Sequence, residues 1–549
     1  MKHLAQNQLA GGEHTKYVCL LVITALISVF SIFGGVMEPD GALYASIAKN
    51  MILLNDWVNL YVRGQDWLDK PHLTFWLAAG SFKLFGISGF AYKLPSLLLG
   101  WLGAFYLYLL GGKLYYKRVA LIAVIIYMTA FHIGISNFDV RAEIYLATFT
   151  LAAVFHYYLA YQSAPYHIIA GSFFLACAIM VKGIFVIIPV FSGFIFYWII
   201  TKQYREFAKI KWWLALLLVG VFILPELYTL YVQFDLHPEK VVFDQQGVSG
   251  IRFFFWDSQF GRFFNTGPIK GKGDISFFLH TTLWAFLPWS VLFYIAVANR
   301  LRTWKGKEAV LIININALIA FLLFSFSKFQ LPHYIIIIFP HFALLTAAYL
   351  SSRDDSALKA LAVVQHIVFA LVLLLLIAIA LVFNIPSKGI FVLIALCIGA
   401  IAYALFLRNS LLHLVFRSAL LAVIFMVFAY GFFYPSLLTY QAGMSAGLWL
   451  QEHYPRTPVK GYNSQSFAFD FYAPDEVEYV DNISQLQSAN GHVKLVFLPT
   501  ADINRLKEHY KFTILKSFDY YHITKLKWDF LNHKTRSRAL KSFSLVELQ

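Results

Sequence analysis

Apolar runs of roughly 20 residues recur along this chain as far as Phe433, and no other feature constrains its fold so tightly. At ~1.5 Å per residue such a run crosses a ~30 Å hydrocarbon layer as a helix. A helix satisfies its own backbone donors and acceptors inside lipid, where water is unavailable. The chain therefore reads as a polytopic α-helical membrane protein. Its balance of 59% hydrophobic to 13% charged residues agrees, since water would not keep such a chain dispersed. Spans are expected near residues 17–36, 92–110, 119–136, 142–160, 167–181, 183–200, 212–231, 276–298, 308–326, 334–351, 360–383, 389–407 and 414–434, about thirteen transmembrane helices in all. The first run is longer than a usual signal-peptide core and lacks a small-x-small cleavage site, so a permanent span is expected there.

The formal net charge of +15 is not spread as a nucleic-acid surface would be. Basic residues gather in short connections: Lys113, Lys117 and Arg118; Lys202, Arg205, Lys209 and Lys211; Arg300, Arg302, Lys305 and Lys307. If the spans alternate, these connections share one side, which the positive-inside bias marks as cytoplasmic. An odd span count then puts the N-terminus inside and the C-terminus outside. Nucleic acid is not expected as a partner. The three cysteines, Cys19, Cys177 and Cys397, lie within apolar runs, so no disulfide framework is implied.

On the opposite side fall the loop 37–90, "NFDVRAE", Lys182, the loop 232–275 and "SKFQLPHY". From about Tyr440 the composition changes: "VKGYN", "FAFDFYA" and "VKLVFLP" read as strands, and "ADINRLKEHY" as a helix. The expected organisation is a membrane domain over 1–436 and an extramembrane α/β domain over 437–549. The basic end "KTRSRALK" reads as a solvated tail.

Several residues on the outer side invite a chemical reading. Asp40, in "MEPDGALYASIAKNM", begins a helical pattern, where a carboxylate is often only a cap. In "DWLDKPHLTFW", Pro71 fixes a bend from which Lys70 projects, beside Asp69. A lone lysine there would usually snorkel toward headgroups. Asp139 and Glu143 flank Arg141 and share a face if helical, which a membrane-edge ion pair would also explain. The stretch "RFFFWDSQFGRFFNTG" sets Arg252, Asp257 and Arg262 among aromatics, a lip suited to an amphipathic anionic substrate. "SKFQLPHY" adds Lys328, His333 and Tyr334. No Walker loop, dinucleotide fingerprint, nucleophile elbow or HExxH motif occurs. Charges shared by one face suit a lipid-linked phosphate.

The order of motifs is more specific than any one of them. Asp40 followed by "ALYASIA", then "DKPHLTFW", "YKLPSLL", "VKGIFVIIP", "FGRF", "LPWS" and "SKFQLPHYIIIIFP", resembles the aminoarabinose-transferase and protein-mannosyltransferase-like group of polyprenyl-phosphate-dependent glycosyltransferases. The resemblance covers roughly residues 30 to 345. It implies the type C glycosyltransferase fold and a multi-pass protein of the bacterial inner membrane, with active site and C-terminal domain periplasmic. It also implies a polyprenyl-phosphate-linked sugar donor, and as acceptor lipid A, another glycolipid, a glycan or a protein. Carried over by motif, Asp40 is the leading catalytic carboxylate, joined by Glu143 and Asp139. Lys70 and Arg262 hold the donor phosphate, with Tyr334 and Lys328 assisting. The family's Asp-Glu pair at the first motif is Asp40-Gly41 here, so the second acid is lost. No cofactor is required by this reading, and a divalent metal ion between Asp69 and Asp257 is its one conceivable addition.

The implied chemistry is consistent. A departing polyprenyl phosphate gains negative charge, which Lys70 and Arg262 would stabilise, while Asp40 orients or deprotonates the acceptor. A single displacement inverts the anomeric centre. A lipid or sugar transporter is the competing reading, and an envelope assembly factor a third. A transporter predicts charges within the membrane and inverted repeats, whereas the charges here sit at span ends.

Overall fold

The computed structural model describes residues 11–303, 309–406, 410–455, 457–486 and 495–549, so Lys305 and Lys307 of the third basic cluster lie outside the described residues. Among the described residues, eight helices are long and apolar enough to cross a membrane. Lys117–Met128 and Phe131–Phe138, bent by 54°, bring the number to nine when counted as one span. Shorter apolar helices at His167–Lys182, Ile184–Ile200 and Val310–Phe326 occupy three further expected positions. The expected span 276–298 is instead two helices, Phe277–Ala285 and Ser290–Arg302. Pro288 lies in the break, where its missing N–H and its ring prevent an unbroken helix.

Helix Ala142–Gln162 is the most enclosed, with 83% of its apolar window buried against 33% for Gly12–Phe33. Helices Gly89–Leu114, His167–Lys182 and Ile187–Ile200 pack against it, and the first two basic connections lie at one end. There Arg118 pairs with Glu13 at 3.6 Å, and Lys211 Nζ donates to the Ala160 carbonyl at 2.7 Å.

At the other end the expected loops are largely built structure. The segment after the first span becomes helix Asp40–Leu53, hairpin Tyr61–Val62/Gln65–Asp66 and helix Leu73–Phe85. Arg63 and Gly64 turn the hairpin with φ of 52° and 71°, the left-handed pair that a tight hairpin needs. The expected loop 232–275 carries a continuous helical stretch from Gly250 to Phe264, wound as a π-helix over Phe253–Gly261.

The C-terminal region folds around a five-stranded sheet ordered Glu478–Val480, Val459–Tyr462, Leu495–Pro499, Lys541–Leu548, Phe512–Tyr520. The first three strands are parallel, and the last two join antiparallel. Val493 and Lys494 of the expected strand "VKLVFLP" lie outside the described residues. "FAFDFYA" is not a strand: Phe467–Tyr472 is a helix, started by Ser466, whose Oγ accepts from the Phe469 amide at 3.1 Å. Its alternating aromatics mimic a strand period, but the cap and burial on both faces decide for helix. "KTRSRALK" is not a tail either. Arg536 donates to the Phe383 carbonyl at 2.7 Å and the Tyr440 hydroxyl at 2.8 Å, and the chain then runs on into a sheet strand.

Candidate functional site

The loop carrying Lys70 is pinned from below by polar residues buried in span Ile210–Asp235. Glu226 accepts the His72 amide at 3.0 Å, and its other oxygen lies 3.1 Å from His72 Nδ1. Gln233 brackets Leu60, accepting its amide at 3.0 Å and donating to its carbonyl at 2.9 Å. Lys240 pairs with Asp66 at 2.8 Å. Both Glu226 and Gln233 are fully buried, so each would be costly in lipid without these partners. Pro71 and His72 thus hold Lys70 in place from a rigid base.

Two cavities meet above this loop. A larger one of about 510 Å³ is walled mainly by apolar side chains, among them Ile184, Ile188, Phe255, Phe260 and Phe264. A smaller one of about 150 Å³ is lined by Asp40, Tyr44, Arg141, Glu143 and His333. Asp69, Lys70, Lys182, Arg262, Phe329 and Tyr334 line both, and so form the junction. Three cations therefore converge where an apolar chamber opens into a polar one.

Each cation is held by a specific partner. Asp69 pairs with Lys70 at 3.0 Å and with Arg262. Burial works against the Asp69 carboxylate, yet the Lys70 and Arg262 charges outweigh it and hold its pKa below the ordinary value. Arg262 Nε is buried without a hydrogen-bond partner. Lys182 pairs with Glu143 and lies over the Tyr334 ring at 3.6 Å. Gly183 makes that placement possible. Its φ of 109° ends helix His167–Lys182, and a Cβ there would stand 2.1 Å from the Gln259 side chain.

The carboxylates differ in access. Asp40 opens helix Asp40–Leu53, accepts from Arg141 at 2.6 Å and leaves 39% of its side chain exposed. Glu143 is 2% exposed, between Lys182 and His333, whose Nε2 lies 3.9 Å away. Asp139 also engages Arg141, and its side chain is 8% exposed. Asp139 and Glu143 do not share a helical face, because the helix ends at Phe138 and restarts at Ala142. Burial pushes the Asp139 pKa up, and Arg141 offsets part of that rise.

Most of the residues singled out in the sequence are brought together; Asp139, Lys328, Asp257 and Arg252 are not. Asp139 lines neither cavity and sits behind Arg141. Lys328 is exposed and also absent from both linings, while its backbone amide donates to the Phe263 carbonyl at 3.1 Å. Asp257 lies 3.8 Å from Arg252, whose side chain is 76% exposed, and lines neither cavity. The Asp69–Asp257 pair is therefore not assembled for a metal. Asp69 is committed to two cations, and among the described residues no group of three or more His, Cys, Asp or Glu could hold one. Sequence reasoning assigned no role to Lys182 or Arg141, yet both are central. The visible signal for Lys182 was a lysine-glycine pair between two apolar runs.

Comparison with known proteins follows the same lines. The family model for dolichyl-phosphate-mannose-protein mannosyltransferase matches residues 69–228. An uncharacterized protein of Aquifex aeolicus (strain VF5) is 25% identical over 367 residues, covering 64% of this chain and 66% of that one. The undecaprenyl phosphate-alpha-4-amino-4-deoxy-L-arabinose arabinosyl transferase of Edwardsiella ictaluri (strain 93-146) is 28% identical over 334 residues, covering 59% and 57%. Both matches span less than two thirds of those relatives. The crystal structure of ArnT from Cupriavidus metallidurans bound to undecaprenyl phosphate superposes with a TM-score of 0.76 at 18% identity, covering 98% of each chain. The type C glycosyltransferase fold implied by the motifs holds, and the chain resembles this group in sequence as well as in fold.

Proposed function

We propose that this chain is an integral membrane glycosyltransferase moving a sugar from a polyprenyl-phosphate-linked donor to an acceptor on the extracytoplasmic face. One observation carries the reading: an apolar cavity of about 510 Å³ meets a polar one of about 150 Å³ at Lys70, Lys182 and Arg262. A polyprenyl chain suits the first cavity, a phosphate the cationic junction, and sugar with acceptor the second. Undecaprenyl phosphate is named for both the Edwardsiella transferase and the Cupriavidus structure, which supports a polyprenyl carrier here.

Attack on the anomeric carbon breaks its bond to the phosphate oxygen, which leaves with the electron pair. Lys70 and the Arg262 guanidinium, which both line the junction, stabilise that growing charge. Asp40, the accessible carboxylate, takes the proton of a hydroxyl acceptor or positions an acceptor that is already ionised. Asp139 and Glu143 hold Arg141 and Lys182 in place. One displacement gives inversion. The acceptor is lipid A, another glycolipid, a glycan or a protein. The membrane domain spans 1–436 and the C-terminal domain 437–549. Since the basic connections lie at the far end, the N-terminus is cytoplasmic in the bacterial inner membrane, and site and C-terminal domain are periplasmic.

The test is mass spectrometry of envelope lipids and glycans from cells carrying wild-type protein, Asp40→Asn or no gene. A hexose, pentose or aminosugar adduct should be present only with wild-type protein, while purified Asp40→Asn still binds polyprenyl monophosphate. Normal adduct with Asp40→Asn, or none with wild-type protein, would sink the proposal.

A further inference from the structure

The stretch Val36–Asp40, which delivers the leading carboxylate, is gripped by the C-terminal domain rather than by its membrane neighbours alone. The Gln441 side chain accepts the Glu38 amide at 2.9 Å and donates to the Val36 carbonyl at 2.9 Å. The Tyr472 hydroxyl accepts the Val36 amide at 2.8 Å. Glu38 Oε1 accepts from the Ser466 hydroxyl at 2.5 Å and the Ala468 amide at 2.6 Å. Both donors belong to the start of helix Phe467–Tyr472.

The other end of that helix is held as firmly. Lys49, on the helix that Asp40 begins, donates to the carbonyls of Asp470, Phe471 and Ala473 at 2.9, 3.2 and 2.7 Å. Ser46 donates to the Phe467 carbonyl at 3.1 Å. The same helix reaches the second arm of the site. Asp470 accepts from Arg63 at 2.8 Å, and that guanidinium lies over the rings of Phe467 and Tyr479. Arg63 is at the tip of the hairpin whose second strand, Gln65–Asp66, leads directly to Asp69 and Lys70.

We infer that helix Phe467–Tyr472 is a clasp that sets Asp40 against the Lys70 junction, and that Glu38 is its principal positioning residue. The inference rests on the assignment of Asp40 above and gives the C-terminal domain a role in catalysis. Glu38 touches neither cavity, so it acts only through the two-residue lever to Asp40. Without its carboxylate, the Ser466 hydroxyl and Ala468 amide lose their acceptor, and the 36–40 segment keeps only the backbone ties of Val36 and Glu38 to Gln441 and Tyr472. Asp40 would then be displaced while Lys70, anchored independently through His72 and Glu226, stays in place. Rate and donor binding should therefore separate.

The test uses full-length Glu38→Ala, Glu38→Gln, Ser466→Ala and Asp40→Asn in a deletion strain. Envelope adduct is measured at matched protein level, and polyprenyl monophosphate binding on the purified proteins. Glu38→Ala should lower adduct formation by about 10²-fold, the scale of a 1 Å misplacement, with Kd changed by less than about twofold. Glu38→Gln keeps an acceptor oxygen and should restore most of the adduct. Full adduct with Glu38→Ala, or loss that only tracks lost protein or lost binding, overturns the clasp. If Glu38→Ala does not accumulate, Ser466→Ala decides: several-fold loss supports the clasp, and unchanged adduct overturns it. Normal adduct with Asp40→Asn sinks the assignment of Asp40 itself, whatever Glu38 does. An inactive Asp40→Asn beside a fully active Glu38→Ala sinks the clasp alone.

Discussion

Replacing Lys70 by alanine isolates the phosphate seat from the rest of the protein. The Lys70 side chain is 17% exposed, and its carboxylate partner among the described residues is Asp69 at 3.0 Å. Asp69 keeps Arg262 when Lys70 is gone, so no carboxylate is left unpaired and the fold should stand. A phosphate at the junction loses one of three cations. Two unit charges about 4 Å apart at an effective dielectric near 20 attract by about 4 kcal/mol. Solvation that the ammonium would otherwise recover reduces the net loss to about 1.5–3 kcal/mol, the range for a hydrogen bond to a charged group. At about 1.4 kcal/mol per decade, Kd should rise roughly 10- to 150-fold. The assay is titration of the purified protein with polyprenyl monophosphate in detergent, beside envelope adduct formation in cells. Lys70→Arg should recover only part, because a planar fork does not replace a compact ammonium. A Kd for Lys70→Ala within about twofold of wild type, with adduct retained, would refute the assignment of the junction to phosphate.

Other outcomes follow from the same geometry. Gly183→Ala should cut adduct formation, since a φ of 109° is strained for any residue with a Cβ and the Gln259 amide that holds the Lys182 carbonyl must swing away; equal activity at equal protein level would show that Lys182 placement is unimportant. The Asp69 pKa is depressed in the fold, so its contribution to stability is complete above about pH 4 and lost as pH falls through the lower native value. Thermal melting across pH 2–6 should therefore show a steeper acid loss for wild type than for Asp69→Asn, and parallel curves would contradict the pairing. Single-cysteine reporters in the Lys202–Lys211 connection should resist an impermeant reagent in intact cells, while reporters at Asn265 and Ser517 should react; labelling of all three from one side would invert or abolish the proposed topology.

The membrane fold was legible because its controlling term, the length of apolar runs, is local. Thirteen expected positions each carry helical structure, including the short helices on either side of Gly183. The misreadings arose where a local pattern competed with a distant contact. Pro288 split an apolar run that hydropathy alone joined. "FAFDFYA" alternates like a strand, but Ser466 caps it and Lys49, more than four hundred residues away, takes up its terminal carbonyls. Arg536 looked like a solvated charge until the end of span Asp355–Phe383 supplied a carbonyl for it.

The site divides in the same way. Residues fixed by short motifs, such as Lys70 before Pro71 and Asp40 at a helix start, could be found one by one. Which carboxylate is free could not, because that depends on which cation each one meets. Asp139 and Glu143 look equivalent to Asp40 in sequence, yet they are buried against Arg141 and Lys182, while Asp40, which shares Arg141, keeps 39% of its side chain exposed. Glu226 and Gln233 were the overlooked clue, since polar side chains in an apolar span require partners, and here those partners are the backbone and His72 of the Lys70 loop. The two arms of the site thus differ in their main anchors: Lys70 is held chiefly from the membrane helices, with Arg63 adding a contact to Asp470, and Asp40 from the C-terminal domain. A substitution in one anchor should change donor binding and in the other the rate, which is the pattern that distinguishes a built active site from a charged surface loop.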